Sequence, residues 1–148
     1  VLLILTNPYA YEKALNLAIE RAAQKPDELK VVFVIDPDAL DNLVRELGEK
    51  GWLGLGSQRT LHDSMLEGYR ALAADILEDV RRLCAAAHIS VVTEVKEAPL
   101  VAYIRIIIER DNQPILVSGS QYLATTMLTR HLTGFEDVRA LVEWIQED

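Results

Sequence analysis

The sequence predicts an α/β fold, an open parallel sheet with helices on both faces. Three observations predict it. Short unbroken apolar runs recur along the chain, stretches with helical apolar spacing separate them, and 148 residues that are 50% hydrophobic suffice for one core. Strands buried on both faces read as continuous apolar runs, and their alternation with helices implies right-handed crossovers.

The elements follow in order. Val1 to Leu5 is the first buried strand. From Tyr9 to Gln24 the positions Ala10, Ala14, Leu17, Ala18 and Ala22 recur at helical spacing, and Pro26 closes the segment. Val31 to Ile35 is the second strand, stopped by Asp36-Pro37. A short amphipathic helix carries Leu40, Leu43, Val44 and Leu47, with Gly48 expected to end it. After the glycine-rich stretch GEKGWLGLGS comes the longest helix, about Gln58 to Ala87, with a stripe of Leu61, Met65, Tyr69, Leu72, Ile76, Val80 and Leu83.

Ser90 to Lys96 alternates weakly, as a strand at a sheet edge does. Pro99 suits the first position of a helix faced by Leu100, Ile104, Ile107 and Ile108. Ile115-Leu116-Val117 is the fourth strand, and no fifth apolar strand is read after Gly119. Thr133-Gly-Phe-Glu136 matches a capping box, so the chain is expected to end in a helix faced by Phe135, Val138, Val142 and Ile145. The expected sheet is four-stranded. The whole chain, 1–148, reads as one domain.

Composition narrows the partners. A net charge of −8 repels a phosphate backbone, so nucleic acid is not expected. The apolar stretch Leu100 to Ile108 is too short to span a bilayer and is interrupted by Arg105, so no membrane insertion is expected. With no secretory leader at the start, the expected compartment is the cytoplasm. Cys84, the one cysteine, falls inside a helical stripe and reads as a small buried hydrophobe. His62, His88 and His131 lack ligand spacing, so no metal is expected. No nucleophile–base pattern stands out, and no catalytic residue is assigned. GEKGWLGLGS lacks a Gly-Lys-Ser/Thr ending and follows a helix, which excludes a Walker loop and a dinucleotide fingerprint.

In an open parallel sheet a ligand sits beyond the C-terminal strand ends. That rule selects Thr6 and Asn7 after the first strand, Asp36 after the second, and Ser118, Gly119, Ser120 and Gln121 after the fourth. Farther along, Ser120, Thr125, Thr126, Thr129 and Arg130 offer hydroxyls and a cation for an anion, or act as turn and cap residues. Asp36 and Asp38 also suit capping of the helix that Pro37 opens.

Three strings, LLILTNPYAYEKALNLA, ILVSGSQY and the long helix after a GWLG-type loop, resemble the universal stress protein family, with its adenine nucleotide alpha-hydrolase-like fold. The resemblance runs from the start to about Val142 and, with the four apolar runs, implies the first strand central between the second and fourth, the third beyond the second. It implies an acidic residue at the first strand's end, against adenine, and a phosphate motif G-x-x-G-x9-G-[ST] after the fourth strand. Here Thr6 stands at the acidic position, with Asn7 beside it. Gly119 matches the first motif glycine, but Tyr122 and Leu132 stand where the next two belong. Gly134 serves only with two inserted residues, and Phe135 then replaces the Ser or Thr. The family's final strand is not found either.

A left-handed non-glycine residue and a lost hydrogen bond to a charged partner together cost about 3–5 kcal/mol. That is a hundredfold to several thousandfold in affinity, roughly. The expectation is a non-enzymatic domain with a degenerate nucleotide site that acts by homodimerisation or by binding another protein. The alternatives are weak ATP or AMP binding with slow hydrolysis, and a regulatory domain of a larger chain such as a transporter.

Overall fold

The structure, a computed structural model, describes residues 1–25, 28–51, 54–110, 114–119 and 142–146. Its elements are β1 (Leu2–Leu5), α1 (Glu12–Gln24), β2 (Leu29–Ile35), α2 (Pro37–Glu49), α3 (Leu55–Ala86), β3 (Val91–Glu97), α4 (Leu100–Arg110), β4 (Ile115–Gly119) and β5 (Val142–Gln146). The sheet order is β3-β2-β1-β4-β5, and every neighbouring pair is parallel. β1 lies at the centre, with β2 and β4 beside it and β3 beyond β2, as the apolar runs and the family resemblance together predict.

Strand parity divides the core into two layers. Leu3 and Leu5 of β1, with Val31, Phe33 and Ile35 of β2, pack under α1 and α3. Leu2, Ile4, Val32 and Val34 face the other way, against Leu100, Ile104 and Ile108 of α4. Because both faces are covered, β1 and β4 are buried at every position. β3 has a neighbour on one side only and is exposed at most positions, which explains its weaker alternation.

The expected four-stranded sheet and C-terminal helix are corrected by β5. Val142–Gln146 is a fifth strand, paired with β4 from Ile115↔Val142 to Gly119↔Gln146. The cause of the misreading is spacing. Val142 and Ile145 lie three apart, which is one face of a helix but opposite faces of a strand. Val142 joins the layer under α4 and Ile145 the layer under α1 and α3, so both are buried in a sheet covered on two sides. For so short a run, periodicity alone does not separate the two states. The capping box at Thr133, Phe135 and Val138 lies outside the described residues.

The helix ends differ in smaller ways. Gly48 does not end α2, which continues to Glu49; Gly51, at φ 77°, takes the left-handed position beyond it. The Gln58 amide of α3 lies against the open side of Gly48. α3 has 32 residues, roughly 48 Å of helix. Its buried positions begin at Ala73, and the first half packs on α2. α1 starts at Glu12, after a turn in which the Asn7 Oδ1 accepts the Tyr9 N–H at 2.9 Å.

Pro99 stands one place before α4, its carbonyl accepting the Tyr103 N–H at 3.0 Å. Half-exposed ion pairs tie the outer helices to the sheet edges, Arg21 to Glu143 of β5 at 2.6 Å and Arg70 to Glu97 of β3 at 2.8 Å. Among the described residues no helix is long and apolar enough to cross a membrane.

Candidate functional site

Parallel strands deliver their C-terminal ends to one side of the sheet, and a cavity of about 320 Å³ opens there above β1 and β2. Its sheet side is Thr6 with Phe33, Val34 and Ile35; the α2 wall is Ala39, Leu40 and Leu43. Tyr69 of α3 and Leu100 of α4 close it, and Asp36 stands at its rim. The lining is apolar apart from Thr6, Asp36 and the tyrosine hydroxyl.

Each polar group is held for a reason. The Thr6 Oγ1 donates to the Ser118 carbonyl at 2.7 Å, tying the first residue beyond β1 to β4. Ser118 is 0% exposed. Asp36 follows β2 in extended backbone, the geometry that a helix cap requires. Its Oδ1 accepts from Asp38 N at 2.9 Å and Ala39 N at 3.3 Å, capping α2. Its Oδ2 accepts from Leu100 N at 3.2 Å, at the start of α4. One carboxylate thus satisfies unpaired amides of two helices and balances the positive ends of both dipoles.

Of the residues selected by the strand-end rule, Thr6 and Asp36 are brought together on the cavity. Ser118 and Gly119 lie buried at the end of β4, linked to it through the Thr6 hydroxyl. Asn7 points its amide oxygen into its own turn and is exposed. Ser120, Gln121, Arg130 and Gly134 lie outside the described residues, as do Tyr122 and Leu132 and, in the glycine-rich stretch, Trp52 and Leu53. Asp38 supplies a backbone N–H and does not itself cap α2.

Sequence reasoning missed the helix-borne wall. Leu43 is 42% exposed, at the mouth, although it sits on the apolar stripe of α2. The signal for Leu43 and Tyr69 was an apolar stripe on helices adjoining the strand ends, indistinguishable by period from ordinary core. A second surface feature lies on the same helix pair, where His62 Nε2 meets Asp41 Oδ1 at 2.7 Å between α3 and α2. Among the described residues no three His, Cys, Asp or Glu side chains are grouped to hold a metal ion.

No protein-family model and no curated protein sequence matches the chain. Solved structures do. A universal stress family protein from Burkholderia pseudomallei matches over 97% of this chain and 94% of its own, with TM-score 0.64 and 15% identity. The universal stress protein UspA from Lactobacillus plantarum matches over 100% and 97%, with TM-score 0.61 and 12% identity. The hypothetical protein MJ0577 matches over 99% and 96%, with TM-score 0.59 and 13% identity. The strand order, the paired core layers and these likenesses agree on one architecture: the chain has the fold of the universal stress proteins.

Proposed function

We propose that this chain is a non-enzymatic domain of universal stress type, a single cytoplasmic unit that acts through a partner, with its nucleotide site degenerate. The observation that carries this reading is Thr6. It stands where the family resemblance calls for a carboxylate against adenine, and its one proton is committed to the Ser118 carbonyl. No acidic group is thereby offered from β1, and the phosphate motif departs from the family pattern at Tyr122 and Leu132.

The first partner proposed is a second copy. β5 lies at an edge of the sheet, with Val142, Trp144 and Ile145 giving it β-propensity. Among the described residues no strand pairs with the outer side of β5, and such an edge invites pairing with another chain. The alternative, binding of an adenine nucleotide, draws support from the cavity at the strand ends.

Purified protein, denatured and freed of polypeptide, tests the proposal. The expected supernatant contains no stoichiometric adenine nucleotide. An equimolar amount would replace the degenerate-site reading with the nucleotide-binding one.

A further inference from the structure

The cavity at the strand ends has a hydrogen-bonding character of its own. Its polar side chains are Thr6 at the sheet, Asp36 at the rim and Tyr69 on α3, whose hydroxyl both donates and accepts. Thr6 has given its only proton to Ser118 and keeps lone pairs alone. The Asp36 carboxylate offers about four lone-pair positions, of which three are filled by Asp38 N, Ala39 N and Leu100 N. The vacant one is on Oδ2. Thr6 and Asp36 therefore accept and neither donates.

The same carboxylate answers the N-termini of α2 and α4, where a phosphate would otherwise be drawn. Among the described residues no lysine or arginine lines the cavity. The remaining walls are Leu40, Leu43, Leu100 and the aromatic Phe33 and Tyr69. At about 320 Å³ the space lies at the small end of ligand cavities, which run from about 300 to 1,000 Å³. One ring with a short chain fits that volume.

We infer that the cavity binds a small apolar ring compound bearing an amine or ammonium donor, its ring against the leucines and aromatics and its nitrogen donating to Thr6 Oγ1 and Asp36 Oδ2. This inference rests on the reading of the nucleotide site as degenerate. Aromatic surface also attracts a cation, which adds to the preference. The net charge of −8 disfavours the corresponding anions throughout.

The test is a titration of the full chain followed by amide chemical shifts, with 2-phenylethylamine, 3-phenylpropionate and MgATP as three separate probes. The expected result is saturable binding of the amine at about 1 mM or tighter, with shifts at Ala39, Leu43 and Tyr69. The propionate, alike in ring and chain but anionic, should bind at least about tenfold weaker, by the loss of donor–acceptor pairing. Ala39→Leu, on the exposed cavity wall of α2, should remove the amine response while the protein keeps its fold. Asp36→Asn should shrink the amine-to-propionate ratio. Propionate binding as tight as the amine, amine shifts confined to other surfaces, or no amine response with MgATP also weak would overturn this inference alone. Low-micromolar MgATP causing the same shifts would overturn the degenerate-site reading along with it.

Discussion

The hydroxyl of Thr6 donates to the carbonyl of Ser118 across 2.7 Å, joining the tips of β1 and β4 at residues 112 apart in sequence. The bond closes the crevice side of β1 with a neutral group. It also satisfies a carbonyl whose residue is fully buried. Thr6→Val keeps the shape and removes the donor, so unfolding free energy should fall by about 1–2 kcal/mol in urea titration. Thr6→Asp should cost at least as much, since it sets a carboxylate against that carbonyl. A variant as stable as the parent would show that water replaces the hydroxyl without loss.

Asp36 holds two helices where most caps hold one. Asp36→Ala should therefore destabilise by more than the ordinary cap, about 2–4 kcal/mol against the usual ~1. Asp36→Asn keeps an oxygen for α2 and should lie between. Hydrogen exchange localises the effect: faster exchange at Ala39 and at Leu100 together is expected, and acceleration at Ala39 alone would mean that α4 does not depend on this carboxylate.

The strands β1, β2 and β4 were legible as apolar runs of a doubly covered parallel sheet, and their order from those runs together with the family resemblance. β5 was not, because Val142 and Ile145 satisfy a helical period and bury on opposite faces only once both layers exist. Thr6 and Asp36 were found by the strand-end rule. The bond from Asp36 to Leu100 was hidden, since it spans 64 positions and depends on the crossover that sets α4 beside β2. The Leu43 and Tyr69 wall was hidden for another reason: apolar stripes on helices do not say which residue meets core and which meets a cavity.

His88 occupies the left-handed region at φ 58° without being glycine. It does so at the end of α3, where Ile89 N bonds the Cys84 carbonyl at 2.8 Å and His88 N the Ala85 carbonyl at 3.1 Å. That is the double-bonded helix stop that favours glycine. His88→Gly should raise stability by about 1 kcal/mol, with a melting temperature higher by roughly 2–4 °C. An unchanged melting temperature would mean that the imidazole makes up the backbone cost by contacts of its own.

Burial raises the thiol pKa of Cys84, which is 0% exposed on the inner face of α3. The folded protein should then react with a thiol reagent at pH 8 far more slowly than the urea-unfolded chain. The sign for stability follows from the same shift. A thiol whose pKa is raised by folding contributes stability below its unfolded pKa of about 8.5, and that part is lost as pH rises through the folded value. Cys84→Ser should flatten the alkaline fall. Rapid labelling of the native protein would contradict the buried thiol.

The central claim, a universal-stress fold whose nucleotide site no longer serves, is tested most directly by calorimetric titration of MgATP into the unmodified protein. The account predicts a dissociation constant weaker than about 100 μM, tightening by roughly tenfold when Tyr122→Gly restores a family glycine. Low-micromolar binding by the unmodified protein would contradict it and assign the strand-end cavity to the nucleotide.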